Sequence, residues 1–124
     1  MAVLNLQDES TVDLIWQKGL KVNGYNPDLY RQDYSGAWIS RMAYGDRESI
    51  FGWEIDHVYP KSRGGTDEEI NLRPINWQNN ISKGDCYPAY VAAVTSEDNK
   101  NVMRETHCTV GKALQSRLKE LYRL

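Results

Sequence analysis

The chain is short of the residues that staple or anchor a fold from outside. Its 124 residues include two cysteines, Cys86 and Cys108. They form neither a C-x-x-C pair nor a disulfide framework, so both are expected as reduced thiols. No apolar run approaches the roughly 20 residues that span a bilayer as a helix, and no membrane partner is expected. The opening MAVLNLQDESTVD lacks the basic region that precedes the apolar part of a secretory signal, so a cytoplasmic location is expected. Repeats, low-complexity tracts and long linkers are absent as well. One domain over 1–124 follows, large enough to bury a core without cross-links. A cationic surplus is also missing. The net charge is −2, where nucleic-acid-binding domains are often basic.

What is present is a globular composition, 40% hydrophobic with four tryptophans. Charge is uneven along it. Residues 1–60 carry five Lys/Arg against nine Asp/Glu, and residues 61–124 carry ten against eight. Affinity for a polyanion should therefore be modest, salt-sensitive and dependent on a few local cations.

Ser10 is placed to cap a short helix ending at Gly19, with Val12, Leu14, Ile15 and Trp16 as its apolar side. Residues 22–27 hold N-G and N-P and read as a turn. Residues 36–44 are apolar enough for core. From 50 to 59 the sequence alternates and is rich in aromatics, as a strand requires, and Pro60 ends it by removing a ladder donor. An exposed loop over 61–70 leads to a second short strand at 72–75. Asn76 is a suitable N-cap for a helix that Gly84 closes. Two further strand-like runs, 87–95 and 101–110, form a hairpin. The segment 111–124 sets Leu114, Leu118 and Leu121 on one helical face.

The informative stretch is 53–85, WEIDHVYPKSRGGTDEEINLRPINWQNNISKGD. Asp56 and His57 are adjacent, Asn71 lies fourteen positions beyond His57, Asn80 nine further on, and Lys83 one helical turn later. A carboxylate and a carboxamide supply oxygen to a hard divalent cation. A histidine titrating near neutrality can take a proton from water. Together they make a candidate one-metal phosphodiester-cleaving site.

These residues resemble the HNH endonucleases, the ββα-metal nucleases. The family's acid-x-D-H run reads Glu54-Ile55-Asp56-His57, and its P-x-S-x-G-G loop reads Pro60-Lys61-Ser62-Arg63-Gly64-Gly65. Its N-L reads Asn71-Leu72, and its N-x-x-K-G reads Asn80-Ile81-Ser82-Lys83-Gly84. The resemblance covers about a quarter of the chain. It implies an α+β domain with a ββα-metal finger (strand, loop, strand, helix) over about 50–84, flanked by an N-terminal segment, a C-terminal hairpin and a terminal helix. It also implies a DNA substrate, His57 as general base, Asp56 and Asn80 as ligands of one divalent ion (Mg²⁺ or Mn²⁺), and Asn71 fastening the loop so that the imidazole is held. Monomer and homodimer both remain open.

Each residue also has a plainer role. His57 can be a satisfied structural histidine, and Asp56 can pair with Arg63 or Lys83. Glu54 is either an outer-shell neighbour of the metal or a surface carboxylate. Lys83 is a phosphate contact or a solvated cation at a helix end. Arg63 and Lys61 can touch a DNA backbone or stay solvated, and Arg73 can clamp a phosphate or pair with the acids at 67–69. Asn79 competes with Asn80 as ligand, although the N-x-x-K-G register favours Asn80. The tryptophans are expected in the core, and His107 on the surface. One departure matters. Many HNH proteins hold a structural zinc with paired C-x-x-C runs, but here Trp77-Gln78-Asn79 stands where a cysteine is frequent. No structural zinc is expected, and apolar packing must replace it. Two rivals to an enzyme remain: a nucleic-acid-binding or scaffold module that keeps the finger without turnover, and an interaction role for the Leu114–Leu121 stripe.

Overall fold

Short aromatic and β-branched runs broken by turn residues pair two by two in the structure, a computed structural model that describes residues 2–124. In chain order the elements are α1 (Glu9–Trp16), β1 (Tyr30–Gln32), β2 (Trp38–Ser40), β3 (Trp53–His57), β4 (Leu72–Asn76), α2 (Trp77–Lys83), β5 (Ala89–Glu97), β6 (Lys100–Thr109) and α3 (Lys112–Tyr122). The fold is mixed α+β. Among the described residues it has three α-helices and three antiparallel two-stranded sheets, β1–β2, β3–β4 and β5–β6. No helix among them is long and apolar enough to cross a membrane.

Two apolar clusters flank the β3–β4 hairpin. Trp53 and Leu72 join Val12, Ile15, Trp16 and Ile39 in the first. Val58 and Tyr59, just past β3, join Tyr90, Val110 and Leu118 in the second. Trp16, Trp38 and Trp53 are buried, while half-buried Trp77 donates its indole N–H to the Ser49 carbonyl at 2.8 Å. On α3, Leu118 is fully buried and Leu114 packs against the same cluster. Leu114 and Leu118 thus dock α3 on its own domain.

Three local expectations shift. Asp8, not Ser10, holds the N-cap position of α1, without a side-chain cap, and Ser10 lies in the first turn. Leu14 is exposed, because the buried face runs through Thr11, Val12, Ile15 and Trp16. β3 is shorter than 50–59 because the chain turns before it. The Gly52 N–H bonds the Ser49 carbonyl, and a Cβ at Gly52 would stand 1.8 Å from the Asp46 carbonyl oxygen.

Asn76 caps α2 as expected, accepting from the Gln78 N–H at 2.9 Å. The helix is then fixed by two buried polar residues. Asn79 accepts from the N–H groups of Ala93 and Val94 at 2.8 and 2.9 Å and donates to the Val94 carbonyl at 3.0 Å. It thereby serves the backbone where the β5–β6 register breaks between Ala92 and Val94. Asn79 is therefore neither ligand nor surface residue.

Asp33, in the turn between β1 and β2, is 1% exposed. Its carboxylate accepts from the backbone N–H groups of Ser35, Ala37 and Asn76 and from the Asn79 amide, at 2.9–3.1 Å. One side chain so ties the first hairpin to β4 and α2. Each buried donor left without an acceptor costs about 1–3 kcal/mol. Asp33→Ala is expected to lower unfolding free energy by at least about 3 kcal/mol in urea titration; a loss like that of a surface substitution would contradict this role.

Candidate functional site

β3 and β4 pair antiparallel with Asp56 opposite Arg73 and His57 opposite Leu72. Consecutive strand residues face opposite ways, so Asp56 and His57 share a site only where the strand stops. It stops at His57, and Pro60 turns the chain into a single 3-10 turn over Lys61–Arg63. At this strand end lies a cavity of about 290 Å³ lined by Asp56, His57 and Asn80, with Lys61, Ser62 and Asp85 among its other walls. All three of these residues line one space.

Asp56 is 3% exposed and flanked by two cations. Lys83 Nζ lies 3.3 Å from Oδ1, and Arg73 Nε lies 3.5 Å from Oδ2. Neither cation lines this cavity. Lys83 is buried, and its ammonium also donates to the carbonyls of His57 and Val58 at 3.2 and 3.3 Å. α2 ends against the hairpin, which carries this side chain inward instead of into solvent. Arg73 is 7% exposed, donates to the Tyr90 hydroxyl at 3.3 Å, and lies over the rings of Tyr34 and Tyr90. It pairs with Asp56 and not with the acids at 67–69. Arg63 does stay exposed; it donates to the Tyr87 carbonyl at 3.2 Å and rests over the Tyr59 ring.

His57 Nε2 lies 2.7 Å from an oxygen of Asp67. A carboxylate only accepts, so a neutral His57 carries its proton on Nε2 and keeps Nδ1 as the basic nitrogen. The sequence does not mark Asp67 as the partner of His57. Asp67 stands there as one of three loop acids, and no spacing rule singles it out. Asn71 is fully buried. It accepts from the Tyr59 N–H at 2.8 Å and donates to the carbonyls of Tyr59 and Thr66 at 3.1 Å each. It thus ties both ends of the loop between the strands, the loop that carries Asp67.

Asn80 is half-buried and donates Nδ2 to Glu54 at 2.9 Å. Its Oδ1 has no hydrogen-bond donor among the described residues and is free for another partner. Glu54 is held in turn by both nitrogens of an Arg47 fork at 2.7 and 2.9 Å. It therefore touches the site through Asn80. Burial pushes the Glu54 carboxyl upward, but hydrogen bonds from Arg47 and Asn80, with the Arg47 charge, more than offset this and hold it below its ordinary value.

These donors fit a hard cation that brings most of its own water. Among the described residues no three His, Cys, Asp or Glu side chains converge as a complete ligand group. Mg²⁺ commonly takes only one or two carboxylates and completes its shell with water and substrate phosphates. The Asp56 contacts at 3.3 and 3.5 Å exceed the ~2.7–2.9 Å of a tight charge-assisted bond, so its oxygens retain accepting capacity. Cys86 and Cys108 are free thiols, and His107 is exposed on β6. Comparison with protein-family models, curated proteins and solved structures finds no match to this chain.

Two stability measurements check this geometry. Lys83→Met strips a charge partner from Asp56 and a donor from two carbonyls. It is expected to cost about 3–5 kcal/mol, whereas Arg63→Ala should stay within about 0.5 kcal/mol; equal effects would contradict the buried trio. Glu54 is more acidic folded than unfolded, so its contribution is complete above the unfolded pKa and is lost as pH falls through the folded one. Glu54→Gln should therefore destabilise at neutral pH, with the gap to the native protein closing in acid. A gap that widens in acid would contradict the assigned direction.

Proposed function

We propose that the chain is a metal-dependent endonuclease of the HNH, ββα-metal type that hydrolyses DNA phosphodiester bonds. The observation carrying this reading is the shared cavity of Asp56, His57 and Asn80, at the end of a hairpin that runs directly into a helix. The order strand, loop, strand, helix in β3, the 58–71 connection, β4 and α2 supports a finger of this kind.

In this reading a phosphodiester enters the cavity beside Lys61 and Arg63, cations on the loop that leaves β3. His57 Nδ1 takes the proton of the attacking water, and the Asp67 carboxylate, 2.7 Å from Nε2, holds the tautomer and stabilises the imidazolium that forms. Asp56 and the free Oδ1 of Asn80 would hold Mg²⁺ or Mn²⁺, which supplies neutralisation of the phosphate and of the leaving 3′ oxygen. Glu54 fixes the Asn80 amide so that its oxygen, not its nitrogen, is available. Asn71 keeps the loop, and with it Asp67, in register with the imidazole. The products would be a 5′ phosphate and a 3′ hydroxyl.

A second reading rests on one observation. Asp56 already faces two cations, which favours a DNA-binding or scaffold module without turnover. A plasmid-nicking assay with Mg²⁺ or Mn²⁺ separates the two. The nuclease reading expects cleavage by the native chain, a drop of about 10²–10⁴-fold in His57→Ala at unchanged melting temperature, and a smaller drop in Asp67→Asn. DNA retention without any cleavage by the native chain would sink it in favour of the second.

A further inference from the structure

Arg73 links the cavity just described to a second, larger one. A cleft of about 620 Å³ is lined by Lys18, Tyr34, Glu69, Arg73 and Arg117, with apolar walls including Leu72 and Leu114. Three cations and one carboxylate line it, an excess of two positive charges before the pairing of Arg73 with Asp56 is counted and of one after, which suits a phosphate group. Arg117 is exposed and has no ion pair among the described residues. Lys18 donates to the carbonyls of Glu69 and Leu72, which leaves one of its three N–H bonds uncommitted. Burial lowers the Lys18 pKa, with Glu69 opposing and Arg117 adding to the shift; cations lie close enough here to repel. Gly111 and Ala113 add the start of α3 to the wall, where no side chain caps the first N–H groups.

We propose that this cleft binds the phosphate group of a nucleotide, free or within a strand, with Arg117, Lys18 and Arg73 on the phosphate and the apolar wall against the sugar or base. The volume lies within the ~300–1,000 Å³ typical of small-ligand sites. The site goes beyond the nuclease reading and does not require turnover. Arg73 is shared, since its Nε faces Asp56 in the first cavity while the residue lines the second. A phosphate in the cleft therefore competes with Asp56 for one guanidinium, and loss of the Asp56 charge should favour the phosphate.

The test is calorimetric titration of the full chain, without metal, using thymidine 5′-monophosphate and a short single-stranded oligodeoxynucleotide. At least one probe should bind. Arg117→Glu should weaken it by about tenfold or more. Lys119→Glu makes the same charge change on α3 outside the cleft and should alter affinity by less than about twofold. Asp56→Asn should tighten binding severalfold. Binding of the mononucleotide identifies a free-nucleotide site, and binding of the oligomer alone identifies a strand. No binding by either probe, or equal losses in Arg117→Glu and Lys119→Glu, would overturn the site. Unchanged affinity in a folded Asp56→Asn would overturn the sharing of Arg73. Neither result touches cleavage, which the nicking assay reads separately.

Discussion

A carboxylate shut away from water is stable only if nearby cations and donors replace its hydration. Asp56 is in that position, and its two replacements come from different parts of the chain. Lys83 reaches it from the last turn of α2, and Arg73 from the paired strand β4. The same ammonium serves the carbonyls that follow β3, and the same guanidinium reaches Tyr90 on β5. One buried negative charge so ties α2 and the β5–β6 sheet to the β3–β4 hairpin.

The arrangement also sets a competition. A trio of one carboxylate and two cations carries a net positive charge, which opposes a further cation in the cavity that Asp56 lines. In the proposed nuclease, metal affinity of the protein alone should accordingly be weak, and a substrate phosphate would supply the missing negative charge. Arg73 extends the competition to the second cleft, where a bound phosphate would draw on the guanidinium that Asp56 uses. Exposed charges elsewhere have no such leverage, because solvent screens them.

Local signals were the legible part of the sequence. The Asn76 cap, the Gly84 stop, the end of β3 before Pro60 and the hairpin over β5–β6 each follow from residues within a few positions. The 53–85 spacing likewise brought Asp56, His57 and Asn80 to one cavity, because the elements carrying them are consecutive. What the sequence hid is long-range. Asp67 as partner of His57, Asp33 gathering four donors, and Lys83 turned inward all depend on how separate segments pack. For Lys83 the sequence left open pairing with Asp56, contact with a phosphate and solvation at the helix end, and the hairpin lying over it favours the first. Ser10 failed for a smaller reason, since helix starts are ambiguous by a residue or two.

The most direct measurement of the central claim is paramagnetic broadening of backbone amide signals during titration with Mn²⁺. Convergence of Asp56, Asn80 and His57 on one ion predicts that amides at 56, 57, 80 and 84 broaden first, and that added DNA lowers the Mn²⁺ concentration required. Broadening that begins at the loop acids 67–69, or none at these four positions, would contradict it.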